Sequence, residues 1–299
     1  MMLKNFGQME QFVREQSGKK RVALAAAHDA DALGSLMMAV DRGIAEAILI
    51  GRRKEIVRVL DEMGKDAGDF RIIEEEDDRA AADKAVELVH RGEADMPMKG
   101  LMHTSTFMKA ILDKEKGLKE DGNLLSQASV FEIPKKDRFL IISDCAVNID
   151  PDLETKIKIT ENAAALAHTL GIEQPKIAVL SAVEVVNPKI RSTVDAAAMR
   201  ERLSDRYLID GPLALDNAID EAAAHHKGIE SPVAGNADIL IVPDLWSGNI
   251  FSKGLVFFAH LRSAGTLNGL KAPVVMSSRT DTVENKYLSI LTAVLQTIR

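Results

Sequence analysis

The sequence predicts an α/β protein built as two three-layer α/β/α lobes with mainly parallel sheets, and three observations lead there. Short β-rich runs alternate with longer helical patterns along the whole chain, the rhythm of parallel strands joined by crossover helices. At 299 residues the chain is long for one compact core and short for three. No repeat of about 20 to 50 residues, low-complexity tract or long linker interrupts the pattern.

In the first lobe, Arg21 to Ala27, Glu46 to Gly51 and Phe70 to Glu74 read as strands, each followed by an amphipathic stretch. Pro97-Met98-Lys99-Gly100 follows a fourth strand, and Thr104 to Leu112 reads as helical. In the second lobe Ser129 to Ile133, Phe139 to Asp144, Lys176 to Ser181 and Ala237 to Val242 are strands by composition, with a helix over Pro151 to Leu170 and others before Ala237. Ala272 to Ser277 reads as a last strand. Beyond it, Tyr287, Leu291, Val294, Leu295 and Ile298 form one apolar helical face. Periodicity leaves this closing unit three allegiances: it finishes the second lobe, stands apart, or crosses back to complete the first.

Composition narrows the function. Hydrophobic residues make up 46%, charged residues 28% and aromatics 4%, with 12 methionines, which points to aliphatic, Ala-rich packing. The net charge of -7, without a Lys/Arg-rich run, lacks the footprint of a nucleic-acid binder. An acidic chain that takes anionic substrates must concentrate its cations and helix N-termini in one place. No apolar run approaches the roughly 20 residues that span a bilayer, and the charged N-terminus has no signal-peptide core. Cys145 is the one cysteine, so no intrachain disulfide forms and a reducing cytoplasm is expected.

Three segments could carry chemistry. Ser277-Ser278-Arg279-Thr280-Asp281-Thr282 leads from the last strand into the closing helix, where ligands of open α/β sheets sit. A hydroxyl, a guanidinium and helix-opening amides could hold a phosphate or a developing oxyanion there; the alternative is a plain helix start capped by Asp281 or Thr282. In Asp244-Leu245-Trp246-Ser247-Gly248-Asn249 and on to Lys253, Gly248 would let a ligand approach the backbone, and Lys253 lies one turn beyond Asn249. The bland alternatives are an N-cap and a solvated lysine. In Met98-Lys99-Gly100-Leu101-Met102-His103-Thr104-Ser105, His103 could carry a proton or donate to an oxyanion, and Lys109 adds a cation.

Other features read as structural. His28-Asp29-Ala30-Asp31 suggests helix capping before it suggests a metal site, His225-His226 suits a helix C-terminus, and Cys145 without an identifiable base is a small buried side chain. Neither G-x-G-x-x-G nor a Walker lysine motif occurs.

The chain resembles the phosphate acetyltransferase and butyryltransferase family over almost its whole length, with the butyryltransferase branch nearer. The residues that carry this are Met98-Lys99-Gly100, Val183 to Lys189, Asp210 to Ala218, His226-Lys227-Gly228-Ile229, Gly248-Asn249 with Lys253, and Ser278-Arg279. Asp210 to Ala218 is the most specific of these. The resemblance implies the two-lobed architecture shared with isocitrate and isopropylmalate dehydrogenases, with residues 124–271 inserted into a first lobe of 1–123 plus 272–299 and the active site in the interlobe cleft. It implies that phosphate attacks an acyl-CoA thioester directly, giving an acyl phosphate and CoA, with no metal, no permanently bound cofactor and no covalent enzyme intermediate. Acyl-CoA and inorganic phosphate are then the partners, and a homodimer or larger homo-oligomer the assembly. Ser278, Arg279 and His103 would serve the oxyanion, and Lys253, Asn249, Gly248, Lys99 and Lys109 would bind phosphate or CoA.

Two departures from the family stand out. Where its acetyltransferases carry an arginine after the His-Thr/Ser segment, the nearest match is Lys109, a point charge instead of a fork. Where they carry an aspartate seven residues after the serine, this chain has Asn285, so the neighbouring Glu284 is the carboxylate nominated for the CoA thiol. Two other readings stay open at this point. One is a non-catalytic acyl-CoA or organic-anion binding protein; the other is a metal- and NAD-dependent decarboxylating dehydrogenase.

Overall fold

The computed structural model describes residues 1–16, 18–120 and 122–299. In chain order the elements are α1 (Phe6–Glu15), β1 (Lys20–Ala25), α2 (Ala30–Asp41), β2 (Ala45–Gly51), α3 (Arg53–Glu62), β3 (Arg71–Glu74), α4 (Asp78–His90), β4 (Met96–Lys99) and α5 (Thr104–Ile111). There follow β5 (Ser126–Ile133), β6 (Arg138–Ser143), α6 (Leu153–Thr169), β7 (Lys176–Leu180), α7 (Arg191–Leu203), β8 (Leu208–Leu213), α8 (Leu215–Ile219), α9 (Glu221–His226), β9 (Ile239–Ile241), α10 (Leu245–Phe257), β10 (Ser263–Asn268) and α11 (Val283–Gln296). Short polar residues start the helices: Asp29, Asp77, Asp152, Asp220, Asp244 and Thr282 each accept an amide hydrogen bond from the first turn.

The chain divides into two compact units, Phe6–Asn123 with Ala264–Arg299, and Met1–Asn5 with Leu124–Ser263. The sequence places the second boundary at 271/272; the division falls instead at Ser263/Ala264, and the first five residues join the other unit, where the Leu3 amide donates to the Leu170 carbonyl at 2.9 Å.

In the first of these units four parallel strands lie in the order β3-β2-β1-β4. β1 and β2 end in runs buried at every position, as expected of strands covered on both faces. The chain steps outward from β1 to β2 to β3, then returns to the far side of β1 for β4. The order therefore reverses between β1 and β4, the point where open α/β sheets bind ligands.

Ala272 to Ser277 is not the full strand that its composition suggests. It touches β4 through a single parallel bridge, Met98 to Val275, and meets β10 through Leu267 and Val274. Pro273 supplies no amide to a ladder, which limits how far pairing can extend. The bridge is nonetheless well made, with the Lys99 amide on the Val275 carbonyl and the Val275 amide on the Pro97 carbonyl, both at 3.0 Å. α11 follows and is buried at every residue from Asn285 to Leu295. It packs on α2 and α1, and the Tyr287 hydroxyl donates to Glu10 at 2.8 Å while Arg42 covers the Tyr287 ring and pairs with Glu10.

In the second unit the strands β5, β6, β9, β7 and β8 are neighbours in that order, with β5 antiparallel to β6 and β6, β9, β7 and β8 parallel. The sequence does not announce β8, because Gly211 and Pro212 sit inside it. A side chain at Gly211 would come within 2.8 Å of the Val179 carbonyl, so glycine is what lets β8 lie against β7.

Candidate active site

The Val275 bridge decides where the next residues go. By running alongside β4, it delivers Ser277, Ser278 and Arg279 beside the loop that leaves β4 for α5. That loop is tight. The Gly100 amide donates to the Ala25 carbonyl at 2.8 Å, and a side chain at Gly100 would lie 2.3 Å from the Ala26 carbonyl oxygen, so only glycine fits. His103, Thr104, Ser105, Ser277, Ser278 and Arg279 together line an open pocket of about 540 Å³.

Within it, Arg279 Nη2 stands 3.4 Å from His103 Nδ1 and 3.4 Å from the Met102 carbonyl. The His103 side chain makes no capping bond to α5, so the opening turn of that helix keeps amides for a ligand. The Ser278 amide donates to Asp281 Oδ2 at 2.7 Å and the Ser278 hydroxyl lies 3.1 Å from that of Thr280. Thr282, not Asp281, caps α11, accepting from the Asn285 amide at 3.1 Å. A guanidinium, an imidazole, four hydroxyl-bearing residues and a helix start thus converge on one pocket, a set suited to a tetrahedral or planar oxyanion.

The other expected residues fall as follows. Lys99 is 5% exposed, and its ammonium donates to the Gly100 and Met102 carbonyls at 3.1 and 3.3 Å. Burial lowers its pKa from the ordinary lysine value; the like charges of Arg279 and Lys286 lower it further and Asp29 opposes them. Lys109 sits exposed in the last turn of α5, outside the pocket lining. Glu284 is exposed in the first turn of α11, and Asn285 beside it is buried.

Gly248 lies against backbone. It is buried in α10, and a side chain there would lie 2.5 Å from the Asp144 carbonyl and 2.8 Å from Val242. The space it leaves is filled by the protein's own backbone, so packing by itself accounts for glycine at this position. Asn249 is tied to the same backbone, its Nδ2 donating to the Cys145 carbonyl at 3.2 Å, while Lys253 one turn on is exposed.

Asp29 caps α2, His225 and His226 end α9, and Cys145 is 2% exposed with its thiol pushed up to about 12 by burial and by Asp144. Lys227, from the recognised His226-Lys227 segment, pairs with Glu184 at 3.2 Å and Asp216 at 3.1 Å. Asn217 Nδ2 lies 3.3 Å from Glu184, so three sequence segments meet in one polar cluster that braces this unit.

Sequence reasoning misses Lys286. It is 3% exposed and donates to the Arg279 and Asp281 carbonyls at 3.4 and 2.5 Å. The available signal is a lysine four residues before Ile290 and eight before Val294, on a helix stripe otherwise apolar.

The family described as phosphate acetyl/butaryl transferase matches residues 79–294. A phosphate butyryltransferase of Clostridium acetobutylicum is 46% identical over 98% of this chain and 98% of its own length. A phosphate acetyltransferase of Thermotoga maritima is 42% identical over 94% of this chain and 97% of its own. The crystal structure of a branched-chain phosphotransacylase from Enterococcus faecalis superimposes with a TM-score of 0.83 at 35% identity, covering 93% of this chain and 98% of that one.

Proposed function

This chain belongs to the phosphate acetyl/butaryl transferase family, and from that premise we propose how its residues carry the reaction. The enzyme is an acyltransferase, and the reaction is reversible transfer of a short-chain acyl group between coenzyme A and inorganic phosphate. The observation that carries our site assignment is the convergence of Arg279 and His103, 3.4 Å apart, in a pocket that Ser278 also lines.

Phosphate docks on the Arg279 guanidinium, whose planar fork matches two phosphate oxygens. A phosphate oxygen attacks the thioester carbonyl carbon and the carbonyl electron pair moves to oxygen. Collapse of that oxyanion breaks the C–S bond, leaving acyl phosphate and CoA thiolate, which takes up the proton that phosphate gives up. Holding the two reactants together supplies several kcal/mol of barrier reduction. Ser278, Arg279 and His103 serve the oxyanion, each well-placed donor contributing about 3 kcal/mol. Glu284, exposed at the start of α11, handles the thiol proton. The ammonium of Lys253 on α10 takes an anionic group of CoA, as does Lys109. Lys99 acts through the field of its buried charge. No resident cofactor enters these steps, because phosphate is already an anionic nucleophile and a thiolate leaves readily.

We assign butyryl or branched acyl groups as the preferred substrates, supported by the 46% identity to a phosphate butyryltransferase and the likeness to a branched-chain phosphotransacylase. A homo-oligomer is the proposed assembly, supported by the exposed Trp246, Ile250, Phe257 and Phe258 at the surface of α10 and just past its end. Light scattering on a sizing column checks it. No helix among the described residues is long and apolar enough to cross a membrane, and a cytoplasmic location, supported by the single free thiol, completes the proposal. Thiol release from a panel of acyl-CoAs, with and without phosphate, tests the function. Tight CoA binding with no phosphate-stimulated thiol release for any acyl chain rejects it and selects a non-catalytic binding protein.

A further inference from the structure

Two ammonium groups lie beneath the loop that bears Ser278 and Arg279, and carbonyls are what receive them. Lys286 donates to the carbonyls of Arg279 and Asp281, and Lys99 to those of Gly100 and Met102, while the Met102 carbonyl is shared with Arg279 Nη2. Among the described residues no carboxylate oxygen lies within 4.0 Å of either ammonium. A buried ammonium hydrogen-bonded to carbonyls, with no carboxylate in contact, is a poor device for stability, since an apolar side chain of the same volume would avoid the desolvation cost. Its effect has to be sought in the main chain that it holds.

α11 is a rigid platform, buried from Asn285 to Leu295, whereas Ser278, Arg279 and Thr280 are exposed. Lys286 reaches back from the first turns of that platform and draws two loop carbonyls inward. Because each peptide is planar with its C=O and N–H opposed, an inward Arg279 carbonyl turns the Thr280 amide the other way, where it meets the Ser278 hydroxyl at 3.4 Å.

We propose that Lys286 is a positioning residue for acyl transfer, its buried ammonium fixing the loop conformation that presents Ser278 and Arg279 to phosphate. The proposal rests on the assignment of this pocket to phosphate. Lys286 touches no substrate. It acts through the loop main chain and adds positive potential beneath the site, in a chain of net charge -7.

The test is Lys286→Met, which keeps length and removes the ammonium, read by steady-state kinetics and by the rise in Tm that phosphate induces. The KM for phosphate is expected to rise at least about tenfold while that for butyryl-CoA stays within about twofold, and the phosphate-induced rise in Tm is expected to vanish. A variant that is less stable but keeps the phosphate KM and the phosphate-induced Tm rise within about twofold of wild type overturns the proposal, because a merely structural lysine would give that result. If the Met variant does not fold, Lys286→Gln decides by the same two readouts, its amide still reaching one carbonyl without charge. Wild-type enzyme that shows no phosphate-dependent thiol release would instead strike the functional assignment, so the two failures are distinct.

Discussion

Arg279 and His103 are 176 positions apart in sequence, and their side chains meet with Nη2 3.4 Å from Nδ1. A guanidinium can only donate, so Nδ1 of His103 is the acceptor in this contact. In the proposed mechanism, replacing Arg279 with alanine removes the fork for phosphate and the imidazole's neighbour together. Phosphate-dependent CoA release from butyryl-CoA should fall by about 10² to 10³ in kcat/KM. Near-normal turnover in that variant would remove Arg279 from the mechanism.

Gly248 separates a packing role from a ligand role. A methyl group there must displace the Asp144 carbonyl at 2.5 Å, and overpacking of this kind costs about 1–3 kcal/mol. Gly248→Ala should therefore lower Tm by several degrees without changing the KM for butyryl-CoA. An unchanged Tm with a raised KM would restore the ligand-approach role.

Cys145 should be chemically silent. With its thiol pushed up to about 12, the thiolate fraction at pH 8 is on the order of one in ten thousand. A disulfide-exchange reagent should leave the native protein untouched at pH 8 and titrate one thiol in denaturant. Cys145→Ala should keep its phosphate-dependent turnover; loss of activity in a folded variant would count against a passive thiol.

Asp95 gives stability a pH dependence at the edge of β1. Burial raises its pKa, but the Arg21 amide at 2.7 Å and guanidinium at 3.2 Å outweigh that and hold it below the usual aspartate value. A depressed carboxyl stabilises the fold above its unfolded pKa and loses that contribution as pH falls through the folded one. Asp95→Asn should be less stable than wild type at pH 7, with the gap closing below about pH 4. Denaturant melts at several pH values test this, and a gap constant with pH would refute it.

Much of the fold is legible in the residues. β1, β2, β6 and β7 each hold a short aliphatic run, Val22 to Ala25, Ala47 to Ile50, Leu140 to Ile142 and Ile177 to Leu180, and α11 keeps helical spacing throughout. β8 and β10 are not, because Gly211-Pro212 and Ser263-Ala264-Gly265 read as loop and hold strand geometry only through neighbouring strands. Ser278, Arg279 and His103 stand out in the sequence at loop-to-helix junctions, and the fold brings them to one pocket. The packing of Gly248 on the Asp144 carbonyl is not legible, because a glycine that admits backbone looks in sequence like one that admits ligand. Lys286 escapes notice because a buried lysine on an apolar stripe resembles a solvated one until its acceptors are known.

The assignment of Ala264–Arg299 to the same unit as Phe6–Asn123 also sets an order in time. As the chain leaves the ribosome, all four strands of the β3-β2-β1-β4 sheet emerge early, yet α2 and α1 wait for α11. The intervening residues 124–263 have by then been made and can fold as a unit. Arg279 lies beyond that segment in the chain, so a nascent chain that has reached only residue 263 holds its four-stranded sheet without the loop that bears Ser278 and Arg279.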